Sequence, residues 1–223
     1  MAIPLSYLLL FGIFLLSMLS LWFSYKLVQL QRANAELNRL LSETRQDSYD
    51  ARHDFLTGCL NRRGWNEFVD QRSGLSGSTQ TSQSLPKVPG SLAMVDLDQF
   101  KRINDSYGHC IGDQVLVEFT KRLGEILDRS SEEVLARLGG EEFSVLSCRG
   151  AEELVELLLG LNDSLRREPM KASGQEVALA FSAGVAGYQP SESTQEWMNR
   201  ADQLLYQAKL RGGRVQTDHS QAF

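Results

Sequence analysis

RLGGEEFSVL, Arg137 to Leu146, sets two glycines and two adjacent glutamates between segments that otherwise read as buried strand. A Gly-Gly pair between extended apolar runs predicts a hairpin, because primed turns need positive φ and glycine enters that region at little cost. VLAR and FSVL then become its two strands. Carboxylates beside buried strands are costly unless paired, so a cationic partner for Glu141 or Glu142 is expected. Two solvated turn glutamates are the alternative.

Upstream, SLAMVDLDQF reads as a short apolar strand ending in Asp96 and Asp98, which at i and i+2 share one face. Val95 and Leu97 commit the strand to a core. Paired carboxylates there suit Mg²⁺, a hard cation held by one or two carboxylates together with substrate phosphates. With the hairpin beside this strand, Glu141 could join Asp96 around the same ions, and two such ions suit an in-line phosphoryl displacement. Gly139 and Gly140 would let a triphosphate approach the backbone closely. Asn104 offers both amide donors and an acceptor, whereas Asp113 only accepts. A carboxylate that accepts from N1–H and the 2-amino group selects guanine over adenine. Lys101 is a natural phosphate partner. Singly, each has a plainer reading: Asp113 as a helix N-cap, Asn104 and Asp105 as turn residues before Gly108.

The remaining chain supplies a frame. DFLTGCLNRRGWNEFVDQ predicts a loop and then a helix burying Trp65, Phe68 and Val69, and the Ser-, Gly- and Pro-rich stretch from Arg72 to Ser91 predicts a flexible loop. FKRINDSYG is a short helix. Asp113 opens a longer one burying Val115, Leu116, Phe119, Leu123, Ile126 and Leu127. After the hairpin come a helix near Glu152 to Leu165, a strand around VALAFSAGVAGY, and a helix burying Trp197, Met198, Ala201, Leu204, Leu205 and Ala208. The order β-α-α-β-β-α-β-α implies a mixed sheet covered by helices.

The 223 residues carry a net charge of −5, against a nucleic-acid binder. Cys59, Cys110 and Cys148 are few and scattered, and with His53, His109 and His219 they make neither a disulfide framework nor a zinc pattern. Ile3 to Phe23 holds no charged residue and is long enough for one membrane span, read as a retained anchor. Lys26, Arg32 and Arg39 follow it, which places the rest of the chain in the cytoplasm, with Trp22 and Tyr25 at the inner interface. With two residues ahead of the span, no external sensor domain is expected. Leu27, Leu30, Asn34, Leu37 and Leu41 then recur at three and four spacing, a short heptad stripe that suits a parallel dimer stalk or an amphipathic linker.

DLDQFKRIND, GHCIGD, GGEEF and ADQLLYQAKLRGG, in that order after DFLTGCLNRRG, resemble the GGDEF family of diguanylate cyclases, from Asp54 nearly to the end of the chain. The resemblance implies an α/β (α+β) fold, a mixed sheet surrounded by helices like that of nucleotidyl cyclases and the polymerase palm, preceded here by one transmembrane helix and a short coiled-coil helix. The expected organisation is an anchor over 1–25, a linker over 26–53, the cyclase domain over 54–217 and a tail over 218–223. The implied activity condenses two GTP into cyclic di-GMP with release of two pyrophosphates. Asp96, Glu141 and the Leu97 carbonyl match the positions that hold Mg²⁺, which Mn²⁺ could replace. Asn104 and Asp113 match the guanine readers, Lys101 and Lys209 the lysines near the phosphates, and Glu142 the second signature acid, implicated in catalysis. Phe100, Gly139 and Gly140 belong to the same GTP site. Each domain binds one GTP, so a homodimer at the inner membrane is expected.

Two departures stand out. The product-inhibition motif expected ahead of the signature is replaced by Ser130-Ser131-Glu132-Glu133, with Arg129 beside it, so feedback by cyclic di-GMP is not expected there. Near the C-terminus Arg214 stands one place late, and Arg211 is a possible substitute at the phosphates. A catalytically silent GTP-binding or protein-interaction module is the alternative function, and a membrane dimerisation scaffold or a cyclase of other nucleotides are further ones.

Overall fold

The computed structural model describes residues 5–72, 90–127, 133–190, 192–212 and 214–218, with the side chains of 5–11, 13 and 70–72 outside the description. The chain divides into two units, Met1–Tyr49 and Asp50–Phe223.

The described residues of the first unit belong to one helix, α1, which runs over Leu5–Asp50 without a break. Leu27, Leu30, Leu37 and Leu41 of the expected stripe are exposed along it. The membrane span expected from Ile3 to Phe23 gains no support. Its first half falls on side chains outside the description, and among the described residues no helix is long and apolar enough to cross a membrane. Past Phe23 the helix passes into charged sequence, which lowers the hydropathy of any window centred there.

The second unit holds β1 (Leu60–Asn61), α2 (Arg62–Arg72), β2 (Ser91–Leu97), α3 (Phe100–Tyr107), α4 (His109–Ile126), β3 (Val134–Arg137), β4 (Glu142–Ser147), α5 (Ala151–Arg167), β5 (Met170–Ala172), β6 (Gln175–Val177), β7 (Phe181–Gly187), α6 (Thr194–Leu210) and β8 (Val215–Thr217). Six strands form one mixed sheet in the order β1-β3-β4-β2-β7-β8, and β5 and β6 form a separate hairpin. β2 is inner and antiparallel to both neighbours, β4 and β7, while β1 joins β3 and β8 joins β7 in parallel.

Alternation along β2 builds two cores. Ala93, Val95 and Leu97 pack with Phe119, Leu123, Leu154 and Leu158 of α4 and α5. Leu92 packs on the opposite face with Trp65 of α2 and Trp197, Ala201 and Leu204 of α6. Strands covered on both faces read as continuous apolar runs, as β2 and β7 do.

Three expectations need correction. The helix predicted to open at Asp113 begins at His109, because Gly108 takes φ 85° and turns the chain there; Asp113 therefore lies within α4 and is no N-cap. The stretch around VALAFSAGVAGY is two strands, β6 and β7, split at Ala178–Ala180. Val177, Leu179, Phe181 and Ala183, alternate residues of that stretch, are nevertheless all buried. Neither Gly139 nor Gly140 has positive φ, so the signature turn is not a primed one. Leu138 to Glu141 form a longer loop between β3 and β4. Most of the predicted flexible loop, 73–89, lies outside the described residues.

Candidate active site

Asp96 continues the Leu92 and Met94 face of β2, the face that α6 covers. Its ladder partners are Glu142 on β4 and Ser182 on β7. α6 comes unusually close there: a Cβ at Gly184 of β7 would lie 2.1 Å from the Leu205 nitrogen and 2.2 Å from the Ala201 oxygen. One turn beyond Leu205, Lys209 sets its Nζ 2.9 Å from Asp96 Oδ2. Only glycine at 184 permits that approach.

The carboxylate so held is 6% exposed. Burial pushes the Asp96 carboxyl above its ordinary value; the hydrogen bond and charge of Lys209 oppose the rise, while Glu142 and Asp98 add to it. Glu141 is pushed up too, by burial first and then by the charge of Asp96, again opposed by Lys209. Carboxyls held above their ordinary pKa by burial and by one another's charge, Asp96 acting on Glu141 and Glu142 on both, form a site that a cation would relieve. Their backbones are joined as well, since the Leu97 N–H donates to the Glu141 carbonyl at 3.2 Å.

Asp98 begins the turn after β2, where its Oδ1 accepts from Ser182 Oγ at 2.7 Å. Glu142 meets the expected cation: Arg62 Nη2 is 3.5 Å from its Oε2, a solvent-facing pair. A Cβ at Gly139 would stand 2.9 Å from Glu142 Oε2, the tip of a flexible side chain that can move aside.

Among the described residues no group of three or more His, Cys, Asp or Glu side chains is gathered as a metal site. What is gathered is two carboxylates, Asp96 and Glu141, near enough for the charge of one to act on the other. Hard oxygen donors of that kind, still raised in pKa with Lys209 beside them, fit Mg²⁺ completed by substrate phosphates.

Asn104 and Asp113 come from α3 and α4, and Gly112 lets the Asn104 side chain lie against α4. A Cβ at Gly112 would fall 1.9 Å from Asn104 Oδ1, so the amide packs against α4 one residue from Asp113. Asp113 is exposed and lines a cleft of about 400 Å³ together with Leu56, Arg62, Arg137 and Gly139. Phe100 is buried at the start of α3, whereas Lys101 is exposed. Arg211 Nη1 donates to Gln216 Oε1 at 2.8 Å, and the Arg214 carbonyl accepts from Ala183 N–H at 3.1 Å. Neither arginine is shown on a site carboxylate.

Of the replaced product-inhibition segment, Arg129 and Ser130 to Glu132 lie outside the described residues. Glu133 accepts two bonds from Arg149 Nη1, at 2.9 and 2.7 Å, and a short one from Ser147 Oγ. Ser182, Arg62 and Arg149 were not legible as neighbours of these acids, since no local pattern marks them.

The family model described as diguanylate cyclase, GGDEF domain, matches residues 51–214. The chain is 36% identical over 172 residues to the probable diguanylate cyclase DgcC of Escherichia coli K12, a match covering 74% of this chain and 42% of that relative. The chain thus spans less than half of that protein's length. Among solved structures, the coiled coil and GGDEF domain of DgcB from Caulobacter crescentus, in complex with c-di-GMP, is 28% identical at a TM-score of 0.73, covering 85% of this chain and 97% of that one. Diguanylate cyclase SiaD from Pseudomonas aeruginosa, in complex with its activator SiaC, is 27% identical at a TM-score of 0.61, covering 95% and 82%.

Proposed function

The chain belongs to the GGDEF diguanylate cyclase family, and from that premise we propose that it condenses two GTP into cyclic di-GMP, releasing two pyrophosphates. The observation that carries this reading is the buried Asp96 at the end of the inner strand, held by Lys209 and acting by its charge on Glu141 of the neighbouring signature loop.

Asp96, Glu141 and the Leu97 carbonyl would hold the divalent cation. Mg²⁺, or Mn²⁺ in its place, would neutralise phosphate charge and acidify an attacking hydroxyl. Asn104 and Asp113 would bind the guanine, Asp113 accepting from N1–H and the 2-amino group. Lys101 and Lys209 would meet the phosphates, the bare backbone of Gly139 and Gly140 would admit them, and Phe100 would complete the same site. Glu142, more exposed than Glu141 and facing Arg62 at the solvent side, would accept a proton from the reacting 3′-hydroxyl.

One site holds one GTP, so the 3′-hydroxyl of one must face the α-phosphate of another, and the working form is a homodimer. The Leu27 to Leu41 stripe on α1 supports pairing of two stalks. The organisation into a segment over 1–25, a linker over 26–53, a cyclase domain over 54–217 and a tail over 218–223 belongs to the same reading. Single-pass anchoring in the inner membrane, with the domain in the cytoplasm, rests on sequence alone: the uncharged run Ile3 to Phe23 and the basic residues after it. Feedback binding of cyclic di-GMP at Ser130 to Glu133 is not part of this reading, because Glu133 is already engaged by Arg149.

Chromatography of the products formed from GTP and Mg²⁺ tests the function. Cyclic di-GMP is expected, undiminished by excess ATP. GTP binding without product would support the silent module instead, and loss of product to ATP would overturn the role of Asp113.

A further inference from the structure

Arg137 ends β3, two residues before the signature, and its side chain is 11% exposed. Its Nη1 donates to Asp54 Oδ1 at 2.9 Å, on a carboxylate that is itself 16% exposed. Asp54 is held in turn by the Thr57 N–H at 2.9 Å and the Thr57 hydroxyl at 2.7 Å, in a loop whose backbone closes between Asp54 and Cys59 at 2.8 Å. The rest of the Arg137 fork faces the signature turn. Nε and Nη2 both donate to the Gly140 carbonyl, at 3.2 and 2.8 Å. On the other stem of the turn, Arg62 Nε donates to the Leu138 carbonyl at 2.9 Å.

A buried ion pair is weak evidence for stability, because desolvation offsets much of its Coulomb gain and an apolar pair of similar volume often serves as well. What an apolar pair cannot do is donate twice into one carbonyl in a fixed plane. That carbonyl belongs to Gly140, the residue before Glu141, in a turn whose two glycines have little conformational preference of their own. The turn is therefore set from outside, by a segment more than 70 residues earlier in the chain.

We propose that Arg137, oriented by Asp54, is a positioning residue that fixes the Gly139–Gly140 turn and so aims Glu141 and Glu142 into the site. The proposal rests on the function proposed above. Arg62 is the second hold on the same turn, and the loop from Asp54 to Cys59 is the base against which the fork is braced.

Arg137→Lys tests this, because lysine keeps the charge opposite Asp54 but loses the planar fork. In the full chain, kcat for cyclic di-GMP is expected to fall between about tenfold and a hundredfold. KM for GTP should stay within about threefold, since Asn104 and Asp113 are untouched. Amide hydrogen exchange should quicken at Gly140 to Glu142 and remain at parental rates in α4 and α5. Thr57→Val, which loosens Asp54 while keeping both charges, should give a smaller change in the same direction. An unchanged kcat with unchanged exchange in the turn would overturn the proposal. So would exchange that quickens throughout the domain, which would make the pair a plain structural one. If the parent yields no cyclic di-GMP, it is the proposed function that fails, and the exchange pattern still decides this point.

Discussion

Lys209 Nζ lies 2.9 Å from Asp96 Oδ2, so the last long helix delivers an ammonium to the buried carboxylate at the end of the inner strand. Burial raises the pKa of Asp96 and Lys209 restrains that rise, as it does for Glu141. Removing the cation in Lys209→Met should let both carboxyls rise further and become protonated at higher pH. A site that needs them ionised then loses activity earlier on acidification. The acid limb of kcat/KM, which reports the free enzyme, should move to higher pH in the variant; an unmoved limb would show that neither carboxylate governs it.

Gly184 is where α6 touches the sheet backbone. Gly184→Ala places a methyl about 2 Å from the Leu205 nitrogen, and backbone cannot swing aside as a side chain can. Overpacking of this kind costs about 1–3 kcal/mol. Urea unfolding should show that loss, and the displaced helix should weaken the hold of Lys209 on Asp96, lowering kcat as well. Parental stability would mean that α6 sits further from β7 than described.

Gly112→Ala acts on the other half of the site. The new methyl falls on Asn104 Oδ1, so the amide must leave its place against α4. KM for GTP should rise by on the order of tenfold, the loss of one polar contact to the base, while the unfolding midpoint changes little. Steady-state kinetics with GTP checks this, and an unchanged KM would remove Asn104 from the base site.

Asp54 carries a pH signature of its own. Burial alone would raise its pKa, but bonds from Thr57 and Arg137 outweigh that and the net shift is downward. A carboxyl depressed in the folded state contributes stability above its unfolded pKa and loses it as pH falls through the folded value. Asp54→Asn should therefore be less stable than the parent near neutrality, by about 1–3 kcal/mol. The gap should begin to close below about pH 4, the ordinary carboxyl value, and vanish only once pH falls past the depressed folded value. Denaturant midpoints at neutral and acid pH measure the difference, and a gap that persists in acid would assign the loss to packing.

Much of the frame was legible because the residues that build it are local. Val95 and Leu97 mark β2, the apolar spacing of Val115 to Leu123 marks α4, and Glu141 and Glu142 declare themselves beside two glycines. Other features escaped for physical reasons. Gly108 with φ 85° starts α4 four residues before Asp113, yet Asp113 carries the better capping side chain and drew the boundary to itself. β8 is three residues long, too short for any periodicity to register, and it pairs in parallel with β7. Ser173 and Gly174, both at positive φ, turn β5 into β6 and so detach Val177 from the strand that begins at Phe181. The Arg137 contact with Asp54 joins residues 83 apart, which no local pattern encodes. Within the site, the acids could be named from sequence, whereas their cationic and hydroxyl neighbours emerged only from the packing of α2 and α6 and the pairing of β7.

The most direct test of the central claim is the Mg²⁺ dependence of cyclic di-GMP formation by the full chain beside Asp96→Ala and Glu141→Ala. The account predicts saturable Mg²⁺ dependence in the parent and a loss of more than about a hundredfold in both variants, with the fold retained. Parental turnover in either variant, or product formed by the parent with the cation chelated, would contradict it.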